Sequence, residues 1–296
     1  MHVVIGGASG FLGTPLVAHL REQGHQVTRL IRGGPPRADS SVWDPKAGRV
    51  DQILIDRADA VVNLSGSPIS QWPRTPKRKR EILNSRLTAT ATLAKAVATS
   101  DSPTVFLSGS GMSWYGVDRG DTVLTEDSSP GTGFLADVSR QWEAAAAPAV
   151  EAGARTCFLR TSLVLDSSGG MLGLMVPVWK LGGGAQLGPG RQHMSLIART
   201  DWVRAVTHLL ESDVSGPVNL VMPDNSVTNA EFTDALGEAL NRPTFLRAPK
   251  FAIRAGLGSL SDDLLGSLRV APQTLIESGF TFQAPDLRSA LAAAIH

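Results

Sequence analysis

The sequence predicts an α/β protein: a doubly wound parallel sheet followed by a smaller α+β region toward the C-terminal end. Three observations carry that expectation. Short apolar runs alternate with amphipathic helical stretches through the first half of the chain. A glycine turn, Gly7-x-x-Gly10-x-x-Gly13, joins the first apolar run to the first helical one. Near residue 165 the texture changes, and Gly, Pro, Met and Ser become frequent. With 296 residues the chain can build a large core and two lobes.

Taken in order, strands are expected at 2–6, 26–31, 60–64, 104–108 and 156–160, and helices at 11–22, 77–99 and 134–151. Leu16, Val17 and Leu20 recur at helical spacing in the first helix, and Ile82, Leu83, Leu87, Thr90, Leu93 and Val97 form a stripe on the second. Short strands alternating with such helices imply parallel pairing through right-handed crossovers. Gly24 and Gly153 each follow a helix where a left-handed cap residue is wanted. Residues 1–165 therefore form the first domain.

Residues 166–296 form the second, part of which is expected to return to the first lobe. Its opening, 166–195, contains Gly169-Gly170, Gly182-Gly183-Gly184 and Gly188-Pro189-Gly190, and resembles a substrate loop more than a rigid layer. Helix is expected at 201–211 and strand at 217–221. Thr228 and Glu231 are spaced as a capping box, with Phe232, Leu236 and Leu240 on one face of the helix behind them. The tail from 249 reads as helices and one short extended piece, 279–282.

Composition excludes several function classes. The chain is 42% hydrophobic and 19% charged with a formal net charge of +1, which gives no electrostatic footprint for nucleic acid. The run Lys77-Arg78-Lys79-Arg80, with Arg74 nearby, is the densest positive stretch. It opens an amphipathic helix and fits a solvated face or a substrate-phosphate contact. The single cysteine, Cys157, leaves no internal disulfide and no cysteine-based metal cluster, and it reads as a buried strand thiol. Six scattered histidines show no metal-ligand spacing, so no metal is expected. No apolar stretch approaches the ~20 residues of a membrane span. The first strand begins too early to leave room for a signal peptide, and a cytoplasmic location is expected. There is no Gly-x-Ser-x-Gly elbow for Ser/His/Asp hydrolysis.

The glycine turn carries the chemistry. Between a strand and a helix, Gly7 permits the tight turn, Gly10 lets a phosphate approach the backbone, and Gly13 lets the helix pack close to the strand. Unpaired helix N–H groups and the positive end of the helix dipole then receive a dinucleotide pyrophosphate. Gly7, Ser9, Gly10, Phe11, Leu12 and Gly13 are the expected cofactor contacts of this Rossmann layout. The second strand ends at Arg32-Gly33, where an NAD-preferring site usually carries an acid. A guanidinium suits a 2′-phosphate, and Arg29 and Arg37 lie nearby, so NADP(H) is favoured over NAD(H). Leu64, Ser65 and Gly66 either line the cofactor crevice at the end of another strand or form a tight loop.

With these pieces in place, the chain resembles the extended short-chain dehydrogenase/reductase superfamily. Within it, the chain is similar to the epimerase-family, or nucleoside-diphosphate-sugar-epimerase-like, group. The resemblance runs nearly end to end: Gly-Gly-Ala-Ser-Gly-Phe-Leu-Gly at 6–13, Val-Val-Asn-Leu-Ser-Gly at 61–66, Ser-Gly-Ser at 108–110, and Trp-Tyr-Gly at 114–116. Gly-Phe-Leu-Ala at 133–136, Trp142-Glu143, Leu-Arg-Thr at 159–161, Gly-Pro-Gly-Arg-Gln at 188–192 and Val-Thr-Asn-Ala-Glu-Phe at 227–232 continue it. The tail resembles the small helical domain that closes these proteins.

The resemblance implies hydride exchange with a nicotinamide, and a Tyr phenolate held by a Lys four residues later that exchanges a proton with a substrate hydroxyl. A nearby cation lowers the phenol's pKa for that task. This sequence departs from the pattern. Its one tyrosine is Tyr115, and the helix that should carry the pair offers Phe134 and Val138 in one register, Leu135 and Ser139 in the other. The resembled group commonly lacks the pair as well.

Ser110 matches the superfamily's catalytic Ser/Thr by its place after the strand, and stands either as a polar contact at the reacting centre or as a turn serine. Tyr115 stands as an alternative acid facing the nicotinamide pocket, or as a stacking or packing residue. Arg191, in the Gly-rich loop, matches an Arg that grips substrate pyrophosphate in nucleotide-sugar epimerases. His193 is the one histidine placed to touch a substrate. Relatives tend to carry Ser-Trp-Ile-His-x-x-Asp after this loop, where this chain has Ser195-Leu-Ile-Ala198-Arg199-Thr200-Asp201. The change points to a shifted substrate. Two functions follow: an oxidoreductase or epimerase-like enzyme on a small polar, nucleotide-linked or similar substrate, or a non-catalytic NADP(H) sensor or scaffold. Relatives also suggest a homodimer.

Overall fold

In the computed structural model, which describes residues 1–295 apart from 36, 70–72, 103 and 259, the first half alternates strand and helix. The elements run β1 (His2–Gly6), α1 (Gly13–Glu22), β2 (Gln26–Ile31), β3 (Ser40–Val42), α2 (Gln52–Asp56) and β4 (Ala60–Asn63). Then come α3 (Pro76–Ala98), β5 (Val105–Gly111), β6 (Val123–Leu124), α4 (Phe134–Ala144), α5 (Ala147–Glu151) and β7 (Thr156–Thr161). The second half holds β8 (Leu163–Leu165), α6 (Gly170–Lys180), β9 (Ala185–Leu187), β10 (Leu196–Ala198), α7 (Arg199–Glu211) and β11 (Gly216–Leu220). It closes with α8 (Asn229–Leu240), β12 (Leu246–Ala248), α9 (Lys250–Leu257), α10 (Leu260–Leu265), β13 (Arg269–Val270), α11 (Gln273–Glu277) and α12 (Leu287–Ala294).

Seven parallel strands form one sheet in the order β11-β7-β5-β4-β1-β2-β3, the doubly wound Rossmann arrangement. Both faces of the sheet are covered, so the central strands β1 and β4 are buried along almost their whole length rather than on alternate residues. Val3 and Ile5 of β1 turn to one side, packing with Leu16 and Leu20 of α1 and Trp202 and Val206 of α7. Val4 turns to the other, against Ile55, Leu93 and Val97. From β1 the chain winds outward to β2 and β3, then returns to β4 and winds the other way. The reversal opens a crevice above the carboxyl ends of β1 and β4, where such sheets bind ligands.

β11, from the second half of the chain, completes the sheet beside β7. Three further two-stranded parallel pairs, β8–β10, β9–β12 and β6–β13, tie the remainder together. A second core gathers Leu172, Val176 and Trp179 of α6, Phe232 and Leu236 of α8, and Leu287 and Leu291 of α12. The expected capping box is present: Thr228 accepts from the Glu231 amide, and Glu231 reaches back to the Thr228 amide.

Several elements differ from expectation. The 134–151 helix breaks after Ala144, because Pro148 lacks an N–H and its ring opposes the carbonyl four residues earlier. Segment 166–195, expected as a loop, contains the eleven-residue α6. Its glycines sit at the ends or against close neighbours, and Leu172, Val176 and Trp179 repeat at helical spacing on the buried side. β5 extends to Gly111, so Ser110 lies inside the strand, not in a turn after it. Residues 279–282 form no strand; Phe280 and Phe282 instead pack edge to face, ring centroids 4.8 Å apart, onto the main core. No described helix is long and apolar enough to cross a membrane.

Candidate functional site

The glycine turn closes over the end of β1 on three contacts. Gly7 has φ +81°, and a Cβ there would lie 2.7 Å from the Leu64 carbonyl group. A Cβ on Gly13 would collide with the Gly7 carbonyl oxygen and sit 2.7 Å from Ala8 Cα, so α1 and the turn touch backbone to backbone. Gly10 differs: its Cβ would meet only the Gly7 oxygen, at 3.3 Å, and otherwise open space. Ser9 and Gly10 are exposed, and Phe11 and Leu12 half-buried. Two glycines are thus required by packing, while the middle one leaves a backbone cradle that a phosphate fits.

Across the crevice, Leu64, Ser65 and Gly66 follow β4. The Ser65 amide donates to Asn63 Oδ1 at 3.1 Å, and Asn63 Nδ2 donates to Thr90 Oγ1 at 2.9 Å. Arg86 clamps the loop from behind, donating to the Ser67 carbonyl at 3.0 Å while stacked 4.8 Å from the Trp142 ring. Burial, and then the charge of Arg78, lowers the Arg86 guanidinium to about 10. Arg32 lies just past β2, level with the glycine turn, since Gly6 pairs with Leu30. It is exposed, and no described residue pairs with it. Arg29 is committed: Asp39 takes Arg29 at 2.9 Å and Arg21 at 2.7 Å.

Ser110 leads into a buried polar network. Its hydroxyl donates to Glu143 Oε1 at 2.6 Å. Glu143 receives Arg160 through Nε at 2.9 Å and Nη2 at 3.1 Å, and the two side chains are 9% and 3% exposed. Arg160 stacks 4.0 Å from the Trp114 ring and donates from Nη1 to the Tyr115 hydroxyl at 3.0 Å. That hydroxyl lies 2.8 Å from Asn219 Oδ1 and 3.0 Å from the Thr125 carbonyl oxygen. Burial alone would lower the Arg160 guanidinium; the hydrogen bonds and charge of Glu143 outweigh it and leave it above its ordinary value. Burial pushes the Tyr115 phenol up, and the nearby cation offsets only part of that.

Tyr115 is fully buried among Met112, Leu124, Val221 and Val270. It does not face the crevice as the sequence suggested, because the single 3₁₀ turn after β5 swings it inward. On α4, Glu143 meets Ser110, and Ser139 Oγ lies 3.8 Å from where a Gly111 Cβ would stand. Leu135 sits one turn earlier on the same stripe. The face of α4 turned to β5 therefore reads Leu135, Ser139, Glu143, without phenol or amine.

A cavity of about 370 Å³ opens beside the first turn of α4. Its walls are the 116–118 loop, residues 133–136, Arg74 and Lys79, and α9–α10 residues including Lys250, Arg254 and Asp263. None of Ser110, Arg191 and His193 lines it. Arg191 is exposed. Its loop borders the cavity, since a Cβ on Gly188 would touch Lys250 at 3.0 Å and Leu265 at 3.5 Å. The His193 ring is held elsewhere, with Nδ1 3.1 Å from the Ser226 carbonyl oxygen and Nε2 3.3 Å from Asp121. Among the described residues, no group of three or more His, Cys, Asp or Glu could hold a metal.

The family model described as "NAD dependent epimerase/dehydratase family" matches residues 3–222. The chain belongs to that family. A domain of unknown function, DUF1731, matches residues 248–294 of this epimerase-family protein. The chain is similar to an epimerase family protein of Mycobacterium bovis, 42% identical over 291 residues and covering 98% of this chain and 96% of the relative. It is also similar to the human epimerase family protein SDR39U1, whose crystal structure with NADPH superposes with a TM-score of 0.90 at 32% identity, covering 99% of both chains. A nucleoside-diphosphate sugar epimerase from Corynebacterium glutamicum gives a TM-score of 0.81 at 34% identity, covering 99% of this chain and 58% of that one.

Several groups of the candidate site carry little mark in the sequence. Arg160 appeared only inside Leu-Arg-Thr on a strand, and Glu126 not at all. Glu126 Oε1 accepts from the Asn219 amide at 2.9 Å and the Thr274 amide at 3.3 Å, while Oε2 has no partner among the described residues. A charged residue within an apolar strand was the available signal for Arg160. Nothing local marked Lys250 or Arg254, which reach the cavity from the C-terminal helices.

Proposed function

We propose that the chain is an NADP(H)-binding oxidoreductase or epimerase-like enzyme acting on a small polar substrate seated in the cavity at the start of α4. The observation that carries this reading is the pairing of an open cradle at Gly10 with an unpaired Arg32 at the end of β2. Gly7, Ser9, Gly10, Phe11, Leu12 and Gly13 would hold the pyrophosphate, Arg32 a 2′-phosphate, and Leu64, Ser65 and Gly66 the opposite wall. Bound there, the nicotinamide supplies or accepts a hydride. Ser110 orients a substrate oxygen, its own hydrogen being engaged by Glu143. Arg191, exposed on the Gly-rich loop that borders the cavity, would meet the substrate from outside its lining. Tyr115 is a structural partner of Arg160 in this reading, since a phenol raised by burial is a poor base at neutral pH. A reducing cytoplasm fits the single free thiol.

A second reading is a cofactor-binding sensor or scaffold. The bare α4 face favours it, because Leu135 and Ser139 cannot replace a phenolate and its cation. Calorimetric titration with NADPH and NADH tests the shared premise. NADPH is expected to bind at micromolar concentration and NADH at least tenfold more weakly, with Arg32→Ala abolishing the difference. Equal affinity for both in the parent chain removes the 2′-phosphate assignment. Absence of binding removes both readings.

A further inference from the structure

The basic run at the start of α3 divides once folded. Arg78 pairs with Glu81 at 2.8 Å and donates to the Pro68 carbonyl oxygen at 2.7 Å. Lys79 turns into the cavity instead, its ammonium 5.1 Å from the centroid of the Phe134 ring. Phe134 opens α4. Gly133 precedes it at φ +109°, and no side chain caps this end. The first-turn amides and the positive end of the helix dipole therefore stand at the cavity wall.

A second, independent feature points the same way. Arg74 lines the cavity with its side chain only 5% exposed. Its Nη1 pairs with Asp263 at 2.5 Å, yet its buried Nε has no partner among the described residues. A buried donor left without an acceptor is destabilising, so it marks a place for one. Lys250 and Arg254 add cations from α9, and no described carboxylate pairs with Lys79, Lys250 or Arg254. Asp118, Asp262 and Asp263 also line the cavity. Asp263 is engaged by Arg74, leaving Asp118 and Asp262 to accept from hydroxyl groups.

We propose that the cavity binds its substrate through an oxyanion, a phosphate or a carboxylate, received by the N-terminus of α4 with Lys79 and Arg254. The substrate class is then an acidic, hydroxyl-bearing small molecule. Its acid group meets the cations, and its hydroxyls meet Asp118 and Asp262. This rests on the reading of the cavity as the substrate cleft. It assigns to the DUF1731 region, which supplies Lys250 and Arg254, part of the recognition of charge.

The test is amide NMR of the ¹⁵N-labelled full chain, saturated with NADPH, titrated separately with inorganic phosphate and with acetate at constant ionic strength. Saturating shifts are expected at the Leu135 and Ala136 amides, with half-saturation at about 1–10 mM. Lys79→Met and Arg254→Met should each raise that concentration about tenfold, while Lys79→Arg stays within about threefold. Tighter saturation by phosphate assigns the acid group as phosphoryl; tighter saturation by acetate assigns it as carboxyl. Shifts that stay linear with both anions overturn the proposal, as does a half-saturation equal in the parent and both Met variants. If NADPH leaves the Gly7–Gly13 amides unmoved, the cofactor reading fails by itself. The contrast between parent and variants needs no cofactor and still decides the anion site.

Discussion

Glu143→Ala removes the carboxylate at the centre of the buried network. Arg160 makes two hydrogen bonds to Glu143, at 2.9 and 3.1 Å, with the guanidinium only 3% exposed. Without Glu143 the cation keeps its neutral partners, the Tyr115 hydroxyl and the Glu126 carbonyl oxygen, and no counter-charge. Breaking one side of a buried pair costs about 3–5 kcal/mol. Ser110 loses its acceptor at the same time, a further loss of about 1 kcal/mol. For a chain of this size that corresponds to a fall in Tm of roughly 6–15 °C. Glu143→Leu/Arg160→Met removes both charges. It should recover most of the loss, short of the roughly 1 kcal/mol for each neutral hydrogen bond that Arg160 also made. Urea unfolding followed by tryptophan fluorescence and far-UV circular dichroism measures all variants. A cost below about 1 kcal/mol for Glu143→Ala, or a double variant as unstable as the two single changes summed, would refute the reasoning.

Four other outcomes follow from the same geometry. Gly13→Ala places a methyl group into the Gly7 carbonyl oxygen, so α1 must move off the turn; stability should drop by about 1–3 kcal/mol and NADPH affinity at least tenfold by calorimetry. Tyr115→Phe deletes a hydrogen bond to Asn219 and should cost about 1–2 kcal/mol in urea unfolding while leaving NADPH affinity unchanged. Cys157 is buried on β7, and burial pushes its thiol up to about 11; a disulfide reagent at neutral pH should leave it untouched until urea unfolds the chain. Burial raises the Glu126 carboxyl above its ordinary 4.5, so the folded state holds its proton longer than the unfolded one. Stability should therefore decline as pH rises from 4.5 toward the folded value, and Glu126→Gln should remove that slope in urea midpoints taken across the window. Parallel pH curves for parent and variant would remove Glu126 as the titrating group.

What the chain announces in its sequence is what short-range physics controls. The spacing of the glycine turn, the strand–helix alternation that implies parallel pairing and the Thr228–Glu231 box are each written in short stretches of sequence, and each is present. β3 is only three residues long and has no periodicity to read. α6 was masked by flanking glycines, although its buried stripe of Leu172, Val176 and Trp179 was readable in principle. The network at Ser110 was not readable. Glu143 and Arg160 lie on different elements, and Tyr115 finds Asn219 more than a hundred residues away. Only the crossing of β5, β7 and α4 brings these groups together. The cavity depends on longer closures still, Arg74 reaching Asp263 across 189 residues.

The same network bears on how a proton would move in this fold. A hydride leaving an alcohol carbon requires that the hydroxyl proton also leave. In the resembled enzymes a phenolate on the α4 face takes it, but here that face offers Leu135 and Ser139. The residue proposed to orient a substrate oxygen is Ser110, whose hydrogen already points to Glu143 at 2.6 Å. Toward the substrate it can offer only lone pairs, so it accepts from a hydroxyl and does not donate to a carbonyl. Behind it, Glu143 is already engaged by the buried Arg160 guanidinium at 2.9 and 3.1 Å. In the proposed reading Ser110 therefore orients an alcohol and leaves its deprotonation to another group. If the chain turns over, the proton passes in this reading to water, to the substrate's own acidic group, or to Asp118 or Asp262, the carboxylates proposed to meet its hydroxyls.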